Sequence, residues 1–189
     1  MAHWPLAEWS VWMGGPDGQN ERQDALYAQA TAAHGGMIAR LTAGYEADPA
    51  LREDLKQEIH LQLWRSFAIF SGQCSLVTWV HRVAHNVGAR HVQRAVKARA
   101  VGFVDLDTVE VADGKADPEE SADAATRLRQ LYALIWRLRP IDRQVLLLHL
   151  EEVDAAGTAE ITGLTPGAVA TRIHRIKALL ARNFAKGDC

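Results

Sequence analysis

Four residues near the C-terminus, Gly163-Leu164-Thr165-Pro166, stop one helix and start another with almost no chain between them. Glycine takes the left-handed conformation that ends a helix at small steric cost. Thr165 is a good N-cap, and Pro166 suits a first helical turn because it has no N–H to leave unpaired. The residues on either side, Ala159-Glu160-Ile161-Thr162 and Gly167-Ala168-Val169, are compatible with helix. Leu164, Val169 and Ile173 can then pin the two helices together at the angle a helix-turn-helix needs. The second helix exposes Thr171, Arg172, His174, Arg175 and Lys177, then Arg182 and Lys186, and no acid occurs from Ala168 through Lys186. Such a helix fits a DNA major groove, where Arg and Lys meet phosphates or guanine edges. A solvated basic face on a structural helix is the bland alternative, and the turn argues against it.

The rest of the chain also reads as helix, since apolar residues recur at helical spacing in every long segment. After a break at Gly14, Gly15, Pro16 and Gly18, a helix is expected over about 21–45, and Asp48-Pro49 then punctuates the chain. Leu51, Leu55, Ile59 and Leu63 follow four apart, joined by Trp64 and Phe67 on one apolar face. A turn over 71–75 leads to a third helix, about 76–99, with Val80, Val83, Ala84 and Val87 as its buried stripe. Arg82, Asn86 and Arg90 step four apart on its polar side, Arg94, Lys97 and Arg99 extend that side, and the segment holds no acid. The turn before it, flanked by Phe70 and Trp79, is either an ordinary connection or a place to hold an extruded base by stacking and hydrogen bonds. From Asp105 to Asp123 there are eight acids against the single Lys115, interrupted by Gly114 and Pro118, which reads as a mobile tether. Helical spacing resumes at Ala125, Leu128, Leu131, Ile135 and Leu138, stops at Pro140, and restarts over 145–150. The expected fold is all-α: two small helical domains joined by a flexible acidic linker. Its parts are an N-terminal extension (1–20), a first helical domain (21–101), the linker (102–124) and a helix-turn-helix domain (125–189).

The formal charge of −2 is therefore a cancellation of two basic helices by an acidic cord. Cys74 and Cys189 form no disulfide framework and no C-x-x-C metal pair. Trp4, Trp9 and Trp12 crowd an N-terminus that lacks the pattern of a signal peptide. No stretch approaches the roughly 20 apolar residues of a membrane span, so a cytoplasmic chain without membrane insertion is expected. His81 and His85 have the i, i+4 spacing of a helical metal pair, with Cys74 nearby. Arg82 stands where the H-E-x-x-H motif needs its glutamate, so the two read instead as polar or DNA-facing histidines. Neither a Gly-rich phosphate loop nor a nucleophile elbow is found, and no catalytic residue, cofactor or metal is expected.

Three segments in order carry a resemblance to a known family. They are Glu53-Asp54-Leu55-Lys56-Gln57-Glu58-Ile59 with Leu63-Trp64; Thr78-Trp79-Val80-His81-Arg82-Val83-Ala84-His85-Asn86; and Leu138-Arg139-Pro140 leading to the turn at Gly163 and on to Arg172-Ile173-His174-Arg175. Together, from about Leu26 to the end of the basic C-terminal helix, they resemble the extracytoplasmic-function group of bacterial sigma factors. The resemblance implies a protein that binds core RNA polymerase and directs promoter recognition and opening. It implies that Asp54, Gln57, Glu58, Leu61 and Trp64 dock on the polymerase, and that Trp79, Arg82, Asn86 and Arg90 meet the −10 element. Thr165, Thr171, Arg172, Arg175 and Lys177 would meet the −35 element, the acidic linker would thread the polymerase channels, and an anti-sigma partner would hold the protein. The chain departs from the family pattern at Lys56, His60, Gly157, Thr158, Ala168 and Ala170. A conventional helix-turn-helix regulator with a sensing or dimerising N-terminal part explains the C-terminal half equally well. It leaves the Asp54-to-Trp64 and Thr78-to-Asn86 segments unexplained.

Overall fold

The computed structural model describes residues 17–99 and 120–185. The Trp-rich N-terminus, most of the acidic stretch and Lys186 lie outside them. The described residues form seven helices and no strand: α1 (Asp17–Tyr45), α2 (Pro49–Ser66), α3 (Leu76–Arg99), α4 (Glu120–Arg137), α5 (Pro140–Leu150), α6 (Ala155–Thr162) and α7 (Pro166–Ala185).

Side chains fix the starts of α2, α6 and α7. Asp48 accepts the backbone N–H groups of Ala50 and Leu51, at 2.8 and 3.2 Å, with Pro49 in the first turn behind it. Asp154 accepts the N–H of Gly157 at 2.7 Å, and Thr165 that of Ala168 at 3.2 Å. Each satisfies a donor that has no partner inside its helix. Gly163 ends α6 at φ 76°, the left-handed conformation the turn requires. Two helices begin earlier than their patterns indicate. α1 starts at Asp17, inside the expected N-terminal extension, and α4 starts at Glu120, inside the stretch read as tether.

In the first half, α1, α2 and α3 pack through Ile38 and Leu41, through Leu55, Ile59 and Leu63, and through Val80, Val83, Ala84 and Val87, all buried. α3 approaches α1 closely at Gly88, where a Cβ would lie 2.5 Å from the Tyr45 ring. Gly88→Ala is therefore expected to destabilise the protein by about 2 kcal/mol through overpacking, despite alanine's better helix propensity. Urea denaturation reads this directly.

The second half has its own small cluster of Val145, Ala159 and Val169, with Leu164 and Ile173 packed on it. Those last two and Val169 are the residues the turn pattern marks. The halves are not separate, however. Ile135, Leu138, Leu146, Leu147, Ile176 and Leu179 belong to the same apolar cluster as the α1–α3 core. α5 makes this possible by being apolar on two sides, Val145 turned to the helix-turn-helix and Leu146 and Leu147 to the first half. At Gly44 on α1 a Cβ would lie 2.5 Å from the Leu147 side chain. Polar contacts cross the same seam. Trp136 Nε1 donates to Ala43 O at 2.9 Å, Arg143 Nη1 donates to Tyr45 O at 3.1 Å, and Arg40 pairs with Glu151 through two 2.7 Å bonds.

Candidate nucleic-acid interface

On α2, Asp54 and Gln57 are exposed and Leu61 is 46% exposed, and their spacing puts all three on one helix face. Glu58 and Trp64 are less available. Arg94 of α3 donates to both Glu58 oxygens at 3.0 and 2.7 Å, and Trp64 Nε1 donates to Asp24 at 2.7 Å. His60 is half-buried, its Nδ1 2.9 Å from the Tyr27 hydroxyl. An imidazole can thus fill a site beside α1 with a polar contact.

The turn before α3 braces itself. Gln73 Oε1 accepts from Ser71 N at 2.8 Å, Gly72 takes φ 83°, and Ser75 Oγ accepts Thr78 N at 3.1 Å. Trp79 does not face this turn's outer surface. It is 5% exposed, donates through Nε1 to Ser66 Oγ at 2.9 Å, and lies 5.2 Å from the equally interior Phe70 ring. Trp79, expected to meet the −10 element, is turned inward in this arrangement, and both aromatic rings hold the turn to the core. The exposed apolar residues on either side of the turn are Ile69 and Val77, which periodicity does not pick out. Asn86 and Arg90 are exposed on α3, as expected. Arg82 is half-buried, and its guanidinium reaches Glu160 of α6, at 3.2 Å from the carboxylate.

On α7, Thr171, Arg175 and Lys177 are exposed, together with His174 and Arg182. Thr165 is exposed while its hydroxyl caps the helix. Arg172 departs from expectation. It pairs with Asp142 at the start of α5, a carboxylate only 1% exposed. Its charge is paired with an interior partner within the helix-turn-helix. Gly157 falls in the first turn of α6, with its N–H on the capping Asp154, and α6 is a short helix of eight residues. A Cβ there would sit 3.1 Å from the Asp154 carboxylate oxygen. That close approach gives the glycine a local reason.

His81 and His85 are buried, which corrects their reading as polar or DNA-facing groups. Their rings stack at 5.9 Å, and the Tyr45 hydroxyl lies 3.0 Å from His85 Nδ1. Burial, reinforced by the neighbouring His81, pushes His85 down to about 3. Burial lowers His81 as well, opposed by Glu151 and aided by His34. Close by, burial lowers the Arg143 guanidinium to about 10 while its N–H groups serve carbonyls at the ends of two helices, Tyr45 O on α1, Trp136 O on α4 and Leu138 O just past α4. Nothing in the local pattern of Asp142-Arg143-Gln144 marks it as interior.

The Sigma-70 region 2 family model matches residues 31–98, and the Sigma-70 region 4 model matches residues 128–180. The chain is 29% identical over 135 residues to the ECF RNA polymerase sigma factor SigX of Bacillus subtilis, covering 70% of each protein. It is 26% identical over 137 residues to the RNA polymerase sigma factor YlaC of the same organism, covering 71% of this chain and 78% of that one. With the ECF RNA polymerase sigma factor SigG of Mycobacterium tuberculosis it shares 27% over 150 residues, 68% of this chain but 40% of that longer protein.

Proposed function

Since the chain belongs to the extracytoplasmic-function sigma factors and directs promoter recognition in transcription initiation, we propose a division of labour among its helices. α2 docks on core RNA polymerase through Asp54, Gln57 and Leu61. α3 meets the −10 element through Arg82, Asn86 and Arg90. α7 meets the −35 element through Thr171, Arg175 and Lys177, with the capped N-terminus at Thr165 available to a phosphate. The observation that carries this reading is that two basic helices, in two successive helical units, each keep exposed cationic residues on a face. Such faces attract phosphate regardless of sequence, and base contacts on α7 would add discrimination. The bonds that make and break during initiation are the polymerase's, and the chain's own part is binding. The partners proposed are core RNA polymerase, promoter DNA and, as in the group at large, an anti-sigma protein. The proposed location is the cytoplasm, and no described helix is long and apolar enough to cross a membrane.

The docking assignment is tested by replacing Asp54 and Gln57 together with alanine. Both are exposed, so helical content and the unfolding midpoint should hold while core polymerase binding, measured by fluorescence anisotropy, weakens at least about tenfold, or ~1.4 kcal/mol. Unaltered affinity would remove α2 from the docking surface. In vitro transcription with core polymerase over a fragment library tests the whole reading, because bare core and the loaded enzyme should start at different places.

A further inference from the structure

We propose that a hollow among α1, α3, α4 and α5 binds a small neutral carbonyl compound, whose oxygen accepts a hydrogen bond from His85 Nε2. The site is independent of the promoter contacts above. The hollow measures about 140 Å³, with walls from Leu41 on α1, His85 on α3, Leu131, Tyr132 and Ile135 on α4, and Leu147 on α5. An apolar cavity of about 150 Å³ takes up a molecule of benzene's size. Leu128 and Leu150 complete the lining, and their half exposure marks the side from which a ligand enters.

Among the lining residues, His85 is the polar one that is wholly buried. Its Nδ1 lies 3.0 Å from the Tyr45 hydroxyl, and its Nε2 has no hydrogen-bond partner among the described residues. The His81 ring, stacked on it at 5.9 Å, does not meet that nitrogen. Counting protons assigns the tautomer. If Tyr45 donates to Nδ1, the phenol proton is satisfied and the group left over is an Nε2–H donor. If Nδ1 donates instead, the phenol proton has to find another acceptor and the Nε2 lone pair is stranded. The first arrangement leaves less unmet in the interior, where each unmet group carries its full desolvation penalty. Burial keeps the ring neutral, so it offers one N–H and no charge. With Nδ1 on Tyr45, Nε2 is the polar edge that His85 has left for the hollow it lines.

The rim selects against ions. Arg40 and Glu151, both in the lining, pair with each other through two 2.7 Å bonds. An anion entering beside them meets Glu151, a cation meets Arg40, and either leaves water for apolar walls. A neutral molecule with one acceptor avoids both penalties. An aryl ketone such as acetophenone combines the ring, the oxygen and the neutrality.

The test uses the full chain and three ligands of similar shape. They are acetophenone, α-methylstyrene, in which a methylene replaces the oxygen, and benzoate, which carries a charge. In NMR titrations of protein with isotope-labelled histidine, acetophenone should shift the His85 Nε2 resonance and show intermolecular Overhauser contacts to Leu131 and Leu147. It should bind at least about tenfold more tightly than either of the other two, as expected for meeting a buried donor. In His85→Phe the ketone and the alkene should bind equally. Equal binding of the two by the wild-type chain overturns the carbonyl assignment. Contacts to residues outside the hollow, or no acetophenone binding at millimolar concentration, overturn the site itself. If His85→Phe does not fold, the wild-type ligand series and the Overhauser contacts decide without it.

Discussion

Arg172→Ala is expected to lower the unfolding free energy by about 3 kcal/mol, whereas Arg175→Ala should change it by less than about 0.5 kcal/mol. Both arginines lie on α7 within one turn, and by composition they are equivalent. The difference is Asp142, whose carboxylate is 1% exposed and faces Arg172. Removing the cation leaves an interior charge without its counterpart, which costs far more than loss of an exposed pair. Arg175 is exposed, and its loss should appear in binding to the upstream promoter element, by about 1–3 kcal/mol if it reads a base. Urea unfolding and binding of the polymerase-loaded protein to promoter DNA separate the two effects. A double change, Arg172→Met with Asp142→Asn, should recover part of the lost stability, because removing both charges leaves neither stranded. An unchanged unfolding midpoint in Arg172→Ala would return that residue to the DNA-facing set.

Mild acid should destabilise the protein well before its carboxylates titrate. His85 is wholly interior and held down to about 3, against an ordinary value of 6.5. Below about pH 6.5 the unfolded chain takes up this proton and the folded chain does not, so the unfolded state gains. The stability associated with a neutral His85 is therefore complete above about pH 6.5 and falls by about 1.4 kcal/mol per pH unit below it, or roughly 2 kcal/mol by pH 5. His81 acts in the same direction, since burial lowers it too. The groups facing the pair offer little relief. Tyr45 is itself pushed upward by burial and stays neutral, His34 repels a charge on His81, and Glu151 alone favours one. Unfolding free energies measured between pH 7.5 and 5 should show this slope, and His85→Gln, which keeps a polar partner for Tyr45, should flatten it by at least half. A flat profile in the wild-type chain would mean that the histidines reach water.

Local pattern was enough for what local forces decide. Gly163, Thr165 and Pro166 set the turn through conformations and caps within a few residues, and the structure has each in that role. The stripe of Val80, Val83, Ala84 and Val87 was readable because a helix repeats its buried face every three to four positions. Periodicity is silent about partners far along the chain. Arg172 meets a carboxylate thirty residues away, and Arg82 meets one 78 residues away, so both look like exposed cations when read alone. Trp79 beside a turn can point outward or inward, and the decision belongs to Ser66 and Phe70 on the preceding element. The seam between the halves was hidden for a related reason. A tether rich in acid suggests two independent bodies, and only the two-sided apolar character of α5 says otherwise.

Because Ile135 and Leu147 lie in one continuous apolar mass with Leu41 and Val83, heat should meet a single cooperative object. Scanning calorimetry of the isolated protein is then expected to give one endotherm rather than one for each half, with the calorimetric and van 't Hoff enthalpies in agreement. Neither half would carry a melting temperature of its own until the other had been moved away.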